Sequence, residues 1–301
     1  MDNHLKGVLM ALLAATLWGV SGTCGQFLFQ ERAMAVEWLM AVRMLGAGIL
    51  LLLVALLRKD RHMWLIWRDR SDRRRLLIFG ILGMLTVQYS YFAAIKHSNA
   101  ATATILQFSA PVLIAIYLAV RYGKRLNAMG YLAIFLAVLG TFLLVTHGNI
   151  RSLSISPLAF ALGMASAVSL ALYTLMPGRL LDKYSALSVI GWGLFIGGVA
   201  ISLLRPPWDV AGIEWDEYTY ANTLFVVLFG TLVPFYVYLK AVQLIGGQKA
   251  SLLTSAEPLS ATLLAVLWLG VSFQALDWLG ALLIVSTVFL LSVGKVSGDH
   301  S

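Results

Sequence analysis

Ten apolar runs follow one another along the chain, at roughly 5–27, 36–57, 76–95, 101–120, 127–146, 157–176, 186–204, 221–240, 250–270 and 277–294. Runs of this length with so few charges predict transmembrane helices, because a helix satisfies its own backbone where hydrocarbon supplies no water. The polar breaks between them are mostly short and leave no room for a soluble domain. The two longest have opposite character: Arg58–Arg75 is basic and contains tryptophan, whereas Arg205–Tyr220 carries Asp209, Glu214, Asp216 and Glu217.

The runs repeat. One ungapped shift of 147 positions pairs Gly83 with Gly230, Tyr89 with Tyr236, Tyr91 with Tyr238, Ala94 with Ala241, Ala103 with Ala250 and Pro111 with Pro258. The same shift pairs Phe142-Leu143-Leu144 with Phe289-Leu290-Leu291, so segments 3–5 and 8–10 align without a gap. Segments 1–2 and 6–7 match less well and need a shift of about 150–152. A duplicated unit with five crossings enters the membrane the second time upside down. The expected fold is therefore all-α and transmembrane, ten helices in two inverted five-helix repeats, 5–147 and 156–295, joined through Gly148–Ser156.

Composition agrees with this: the chain is 60% hydrophobic and 12% charged, with a mean hydropathy of +0.84. The net charge of +8 resides in loops, which argues for membrane topology and against nucleic acid. Placing the Arg58–Arg75 loop inside puts seventeen Lys and Arg residues on the cytoplasmic side and four, Arg32, Lys96, Arg151 and Arg205, outside. Both termini are then expected to be cytoplasmic. The first run has no small-residue cleavage signature and reads as a retained helix. Cys24, the single cysteine, excludes an intramolecular disulfide framework and a cysteine-rich metal site.

LLAATLWGVSG in segment 1, AVRML in segment 2, SNAATATILQFSAPVLIA in segment 4, GGQKASLLTSAEPLSATLLAVLWLG in segment 9 and DWLGALLIV in segment 10 together resemble the drug/metabolite transporter superfamily, EamA type. The resemblance spans almost the whole chain and is nearest to bacterial inner-membrane members. It implies secondary transport, commonly export, of amino acids or other small metabolites through a central cavity. Uptake and multidrug efflux remain alternatives within transport, and a non-transporting sensor or scaffold remains one outside it. No cofactor is implied; the partners are a small-molecule solute, the lipid bilayer and, if flux is coupled, protons. The oligomeric state stays open.

Candidate chemistry lies in the paired segments 4 and 9. Pro111 and Pro258 each lack an N–H and free a carbonyl four residues earlier, at Gln107 and Thr254. Together with Thr104 and Ser251 these make matched polar stripes, Thr104–Gln107–Pro111 and Ser251–Thr254–Pro258, expected on kinked helices that line the cavity. A tolerated kink is the plainer reading. Glu257 is the acid set deepest in an apolar run; its charged form needs a basic or aqueous partner, so it is a candidate for proton coupling or for holding a substrate amine. Arg43, about two turns into segment 2, is a candidate for holding a carboxylate, with snorkelling to the interface as the alternative. Trp18, Gln88, Tyr89, Tyr91, Tyr173, Trp192, Tyr236 and Tyr238 could form an aromatic box, although membrane aromatics more often pack or anchor. Segments 3, 4, 8 and 9 are expected to supply the cavity, and pairs 1–2 and 6–7 to gate it.

Other classes fail on residues. Gly19-Val20-Ser21-Gly22 fits an intramembrane serine protease motif, but all five histidines fall in termini, loops or segment ends, out of reach of Ser21. There is no phosphate-binding loop for a nucleotide and no His/Cys metal spacing.

Overall fold

The computed structural model describes residues 3–123, 128–147, 154–246, 249–250 and 253–293. Among these, seven helices are long and apolar enough to cross a membrane and three shorter apolar helices make ten. They are α1 (Asn3–Gln30), α2 (Val36–Leu57), α3 (Arg70–His97), α4 (Ala100–Tyr122), α5 (Ala128–Thr146), α6 (Pro157–Leu175), α7 (Ala186–Ser202), α8 (Glu217–Ile245), α9 (Ala256–Leu267) and α10 (Ala275–Val293). The segment junction 148–153, Ser251 and Lys295 lie outside the described residues.

Helix starts follow from local chemistry. Asn99, Ser156, Ser185 and Asp216 each accept a hydrogen bond from a backbone N–H three residues on, which satisfies a donor that the first turn leaves free. What such helices expose is as informative as what they bury. Leu5, Leu9 and Leu13 on α1 and Leu259, Leu263 and Leu267 on α9 are exposed at four-residue spacing, a greasy outer face suited to acyl chains.

Packing exchanges the two halves. In the first, α1 lies against α8 and α9; in the second, α6 lies against α3 and α4. The helices left over pair across the repeat, α2 with α7 and α5 with α10. At the α5–α10 crossing a Cβ on Gly140 would sit 2.7 Å from the Gly280 carbonyl, and a Cβ on Gly280 would sit 2.7 Å from the Gly140 carbonyl. Only glycine lets two backbones meet so closely, and the relation is reciprocal, as a twofold requires.

Two departures from plain helix matter. α3 and α8 each contain a π-helical stretch, Phe79–Leu85 and Leu228–Leu232, around the repeat partners Gly83 and Gly230. Segments 4 and 9 do more than kink. α4 is interrupted at Phe108-Ser109 between Ala100–Gln107 and Ala110–Tyr122, and α9 starts only after a turn at Thr254-Ser255. In both, the proline occupies the first turn of the new helix, where its missing N–H costs nothing. The Thr254 carbonyl is not left waiting for a ligand, since it accepts from the Glu257 N–H at 2.9 Å.

Candidate functional site

Arg43 enters the interior from α2 and is 3% exposed. The π-helical stretch of α8 holds it: Nε donates to Thr231 Oγ1 at 2.5 Å and Nη2 to the Gly230 carbonyl at 3.3 Å. In α-helical register the N–H that would meet the Gly230 carbonyl belongs to Pro234, which has none. Thr231 in turn donates to the Val226 carbonyl at 2.9 Å, a bond that spans five residues and follows the π geometry. Below the guanidinium, the Phe92 ring centroid lies 4.6 Å from Cζ and offers its electron-rich face. Nη1 has no hydrogen-bond partner among the described residues.

The opposite charge comes from α9. Glu257 lies close enough to Arg43 and Tyr91 for their charges to interact, yet it makes no ion-pair contact with Arg43. The guanidinium thus keeps an unused N–H although an acidic side chain stands within electrostatic reach of it. Tyr91 shares a hydrogen bond with Thr104 at 2.8 Å, which ties α3 to α4 at the same level. One turn further along α4, Gln107 donates to Ser166 of α6 at 2.6 Å. Gln88 is buried one turn before Tyr91.

α1 reaches this cluster because it has no side chain at the crossing. A Cβ on Gly19 would meet Ser260 Oγ and would sit 2.7 Å from the Glu257 carbonyl and 2.8 Å from the Ala261 nitrogen. Its neighbour Trp18 packs on Tyr238 and Phe235 with ring centroids 5.5 Å away in each case. Tyr173 of α6 stacks on Phe79 and lies within electrostatic reach of Tyr238. Trp18, Tyr173, Tyr238, Thr254 and Glu257 all keep part of their surface accessible.

The structure thus brings together Arg43, Glu257, Tyr91 and Thr104, and beside them Trp18, Tyr173 and Tyr238. It draws others away. Tyr89 donates to Glu37 at 2.9 Å, Tyr236 accepts from Arg58 at 2.6 Å, and Trp192 packs among Trp64, Trp67 and Phe195 while donating to the Met63 carbonyl. Pro111 acts through the break it starts in α4. Sequence reasoning missed Thr231, Gly230, Phe92 and Ser166; the pairing of Gly83 with Gly230 beside Pro234 was the signal for the first two.

The end of the bundle beyond Arg43 is tied shut. Arg32 pairs with Asp216 at 2.8 Å, Gln26 accepts from the Ala100 N–H at 2.8 Å, and Phe27 stacks on Trp268 with centroids 5.7 Å apart. Hydrogen bonds from the backbone and side chain of Thr219, then from Arg32, hold the Asp216 carboxyl down at about 2. At the other end, Asp60 accepts from Ser185, Ser188 and the His62 N–H. Burial pushes that carboxyl up, but these bonds outweigh it and hold it below its usual range.

The EamA-like transporter family model matches residues 5–146 and 157–293. An uncharacterized inner membrane transporter of Salmonella typhimurium, YicL, is 43% identical over 298 residues, 97% of each chain. An uncharacterized transporter of Bacillus subtilis, YwfM, is 25% identical over 94% of this chain and 93% of that one. A protein crystal structure at 18% identity superposes with a TM-score of 0.64, over 94% of this chain and 95% of the other, a likeness of fold.

Proposed function

We propose, since this chain belongs to the EamA-like transporter family, that it is an inner-membrane secondary transporter exporting amino acids or other small metabolites through a cavity between its repeats, coupled to protons at Glu257. The family and the relatives indicate a membrane transporter of a small solute and not an enzyme. Export, solute class and proton coupling are the reading drawn from the site.

One observation carries it: Arg43 from α2 and Glu257 from α9 bring groups of opposite charge within electrostatic reach of each other inside the bundle, and Arg43 Nη1 has no hydrogen-bond partner among the described residues. An unpaired buried charge is costly, so the arrangement favours whatever completes it. A solute carboxylate completes Arg43. A proton or a solute ammonium completes Glu257, and these two exclude each other, which is the minimal requirement for exchange. The half-open surface at Trp18, Tyr173, Tyr238 and Thr254, with the Arg32–Asp216 end closed, fits a state open toward the side that the basic loops face.

The test is flux in proteoliposomes under an imposed pH gradient. Glu257→Gln keeps the shape of the side chain and removes its proton, so gradient-driven flux should vanish while the melting temperature holds. An unchanged pH dependence would take Glu257 out of the mechanism. Failure of the purified protein to move any solute would favour the sensor reading.

A further inference from the structure

From the end of α2 through the first turns of α3 the acidic side chains are engaged within the protein, whereas most of the basic ones face outward. Asp60 is taken by Ser185, Ser188 and the His62 N–H, Asp69 caps the Asp72 N–H at 2.8 Å, and Asp72 binds Lys183 at 3.0 Å, Tyr184 at 2.8 Å and Arg75 at 3.6 Å. Lys59, Arg61, Arg68, Arg70, Arg73 and Arg74 are exposed with no acidic partner among the described residues. Three of these share a helix face. Arg70, Arg73 and Arg74 stand three and four residues apart, where like charges repel, and the side of the helix bearing Asp72 and Leu76 is buried.

That face does not stay polar. Continued along α3 at the same spacing it becomes Leu77, Ile78, Ile81 and Leu82, all exposed, so a cationic patch runs directly into a greasy one. Leu57 at the end of α2 and Trp64 and Leu65 in the connection that follows are exposed as well, and tryptophan is a residue type that settles at a membrane interface. An inorganic anion would use only the arginines. A molecule with a phosphate head and acyl chains would use the whole face.

We propose that the α3 face Arg70–Arg73–Arg74, continued by Leu77, Ile81 and Leu82, is a binding site for an anionic phospholipid. The phosphodiester sits on the guanidinium groups, which can grip it bidentately, and the chains lie along the apolar residues. Because Asp72 on the opposite side of this helix is bound to Lys183 and Tyr184, the lipid holds down the same turn of α3 that is fastened to the α6–α7 connection.

The full-length protein in detergent tests this by thermal-shift titration with phosphatidylglycerol, phosphatidylcholine of the same chain length, and inorganic phosphate. Phosphatidylglycerol should raise the melting temperature more than phosphatidylcholine does, and inorganic phosphate should do little. Arg70→Gln/Arg73→Gln/Arg74→Gln should weaken the phosphatidylglycerol response on the order of a hundredfold in concentration, from the loss of three surface cations. The triple lysine variant, with its charges kept, should retain most of it. The site is overturned if the glutamine triple keeps the wild-type preference, or if inorganic phosphate reproduces the whole effect.

Discussion

Arg43 and Asp216 are both charges held by bonds to another helix or loop, Asp216 in an ion pair and Arg43 by neutral oxygens, and they should behave differently. Arg43→Lys keeps a charge but loses the planar fork that reaches Thr231 and Gly230 together, leaving a buried carbonyl under-satisfied at a cost of about 1–3 kcal/mol. Melting temperature should fall modestly and flux by more than tenfold; flux at the wild-type level would mean that Arg43 only props α8. Asp216, held at about 2, is charged through the whole working pH range. Its folded value lies below the ordinary aspartate value of 3.8, so the stability it contributes is complete above that value and lost as pH falls toward 2. Asp216→Asn should therefore leave the shape of the flux–pH profile between pH 5 and 8 unchanged, while Glu257→Gln flattens it. A profile altered by Asp216→Asn would assign the pH response to the closed end.

At the scale of single helices, the deciding features are breaks in regular hydrogen bonding, and they were unequally legible. Proline announces itself: Pro111 and Pro258 marked the interruptions of α4 and α9, although the sequence supported kinks and the structure has two-residue turns. The π-helical stretches were not readable, since an extra residue per turn leaves no composition signal and depends on what packs alongside. Neither was the sorting of tyrosines. Tyr89 and Tyr91 are two residues apart and so point to different sides of one helix, one to Glu37 and the other to Thr104, which a linear pattern cannot separate without knowing the neighbour. Pro234→Ala tests the break in α8. Restoring an N–H to the Gly230 carbonyl should stabilise α8, yet compete with Arg43 for that carbonyl; the expected result is a melting temperature equal or higher with reduced flux. Reduced stability with intact flux would mean that the π-helical stretch serves packing alone.

For the molecule as a whole, the sequence repeat and the exchanged packing have one mechanical consequence. If α1 with α8 and α9 mirrors α6 with α3 and α4, the two ends of the bundle are equivalent in design, and the closed end must be able to open as the other closes. The contacts across the closed end include ones of the kind that reform: the Arg32–Asp216 ion pair, partly exposed and worth about 0–1 kcal/mol, the Trp38 N–H donated to the Pro207 carbonyl, and the Phe27–Trp268 and Trp38–Trp215 ring contacts. Among the described residues these differ in kind from the reciprocal Gly140–Gly280 backbone crossing, which is expected to stay rigid. Joining Arg32→Cys to Asp216→Cys with a short cleavable thiol cross-linker should reduce flux to background and cleavage should restore it, while a tether between α5 and α10 at the level of Gly140 should leave flux intact. The buried native Cys24 is poorly placed to compete for the reagent. Flux through the tethered Arg32–Asp216 end would show that solute passes without that end opening, and alternating access between the repeats would have to be abandoned.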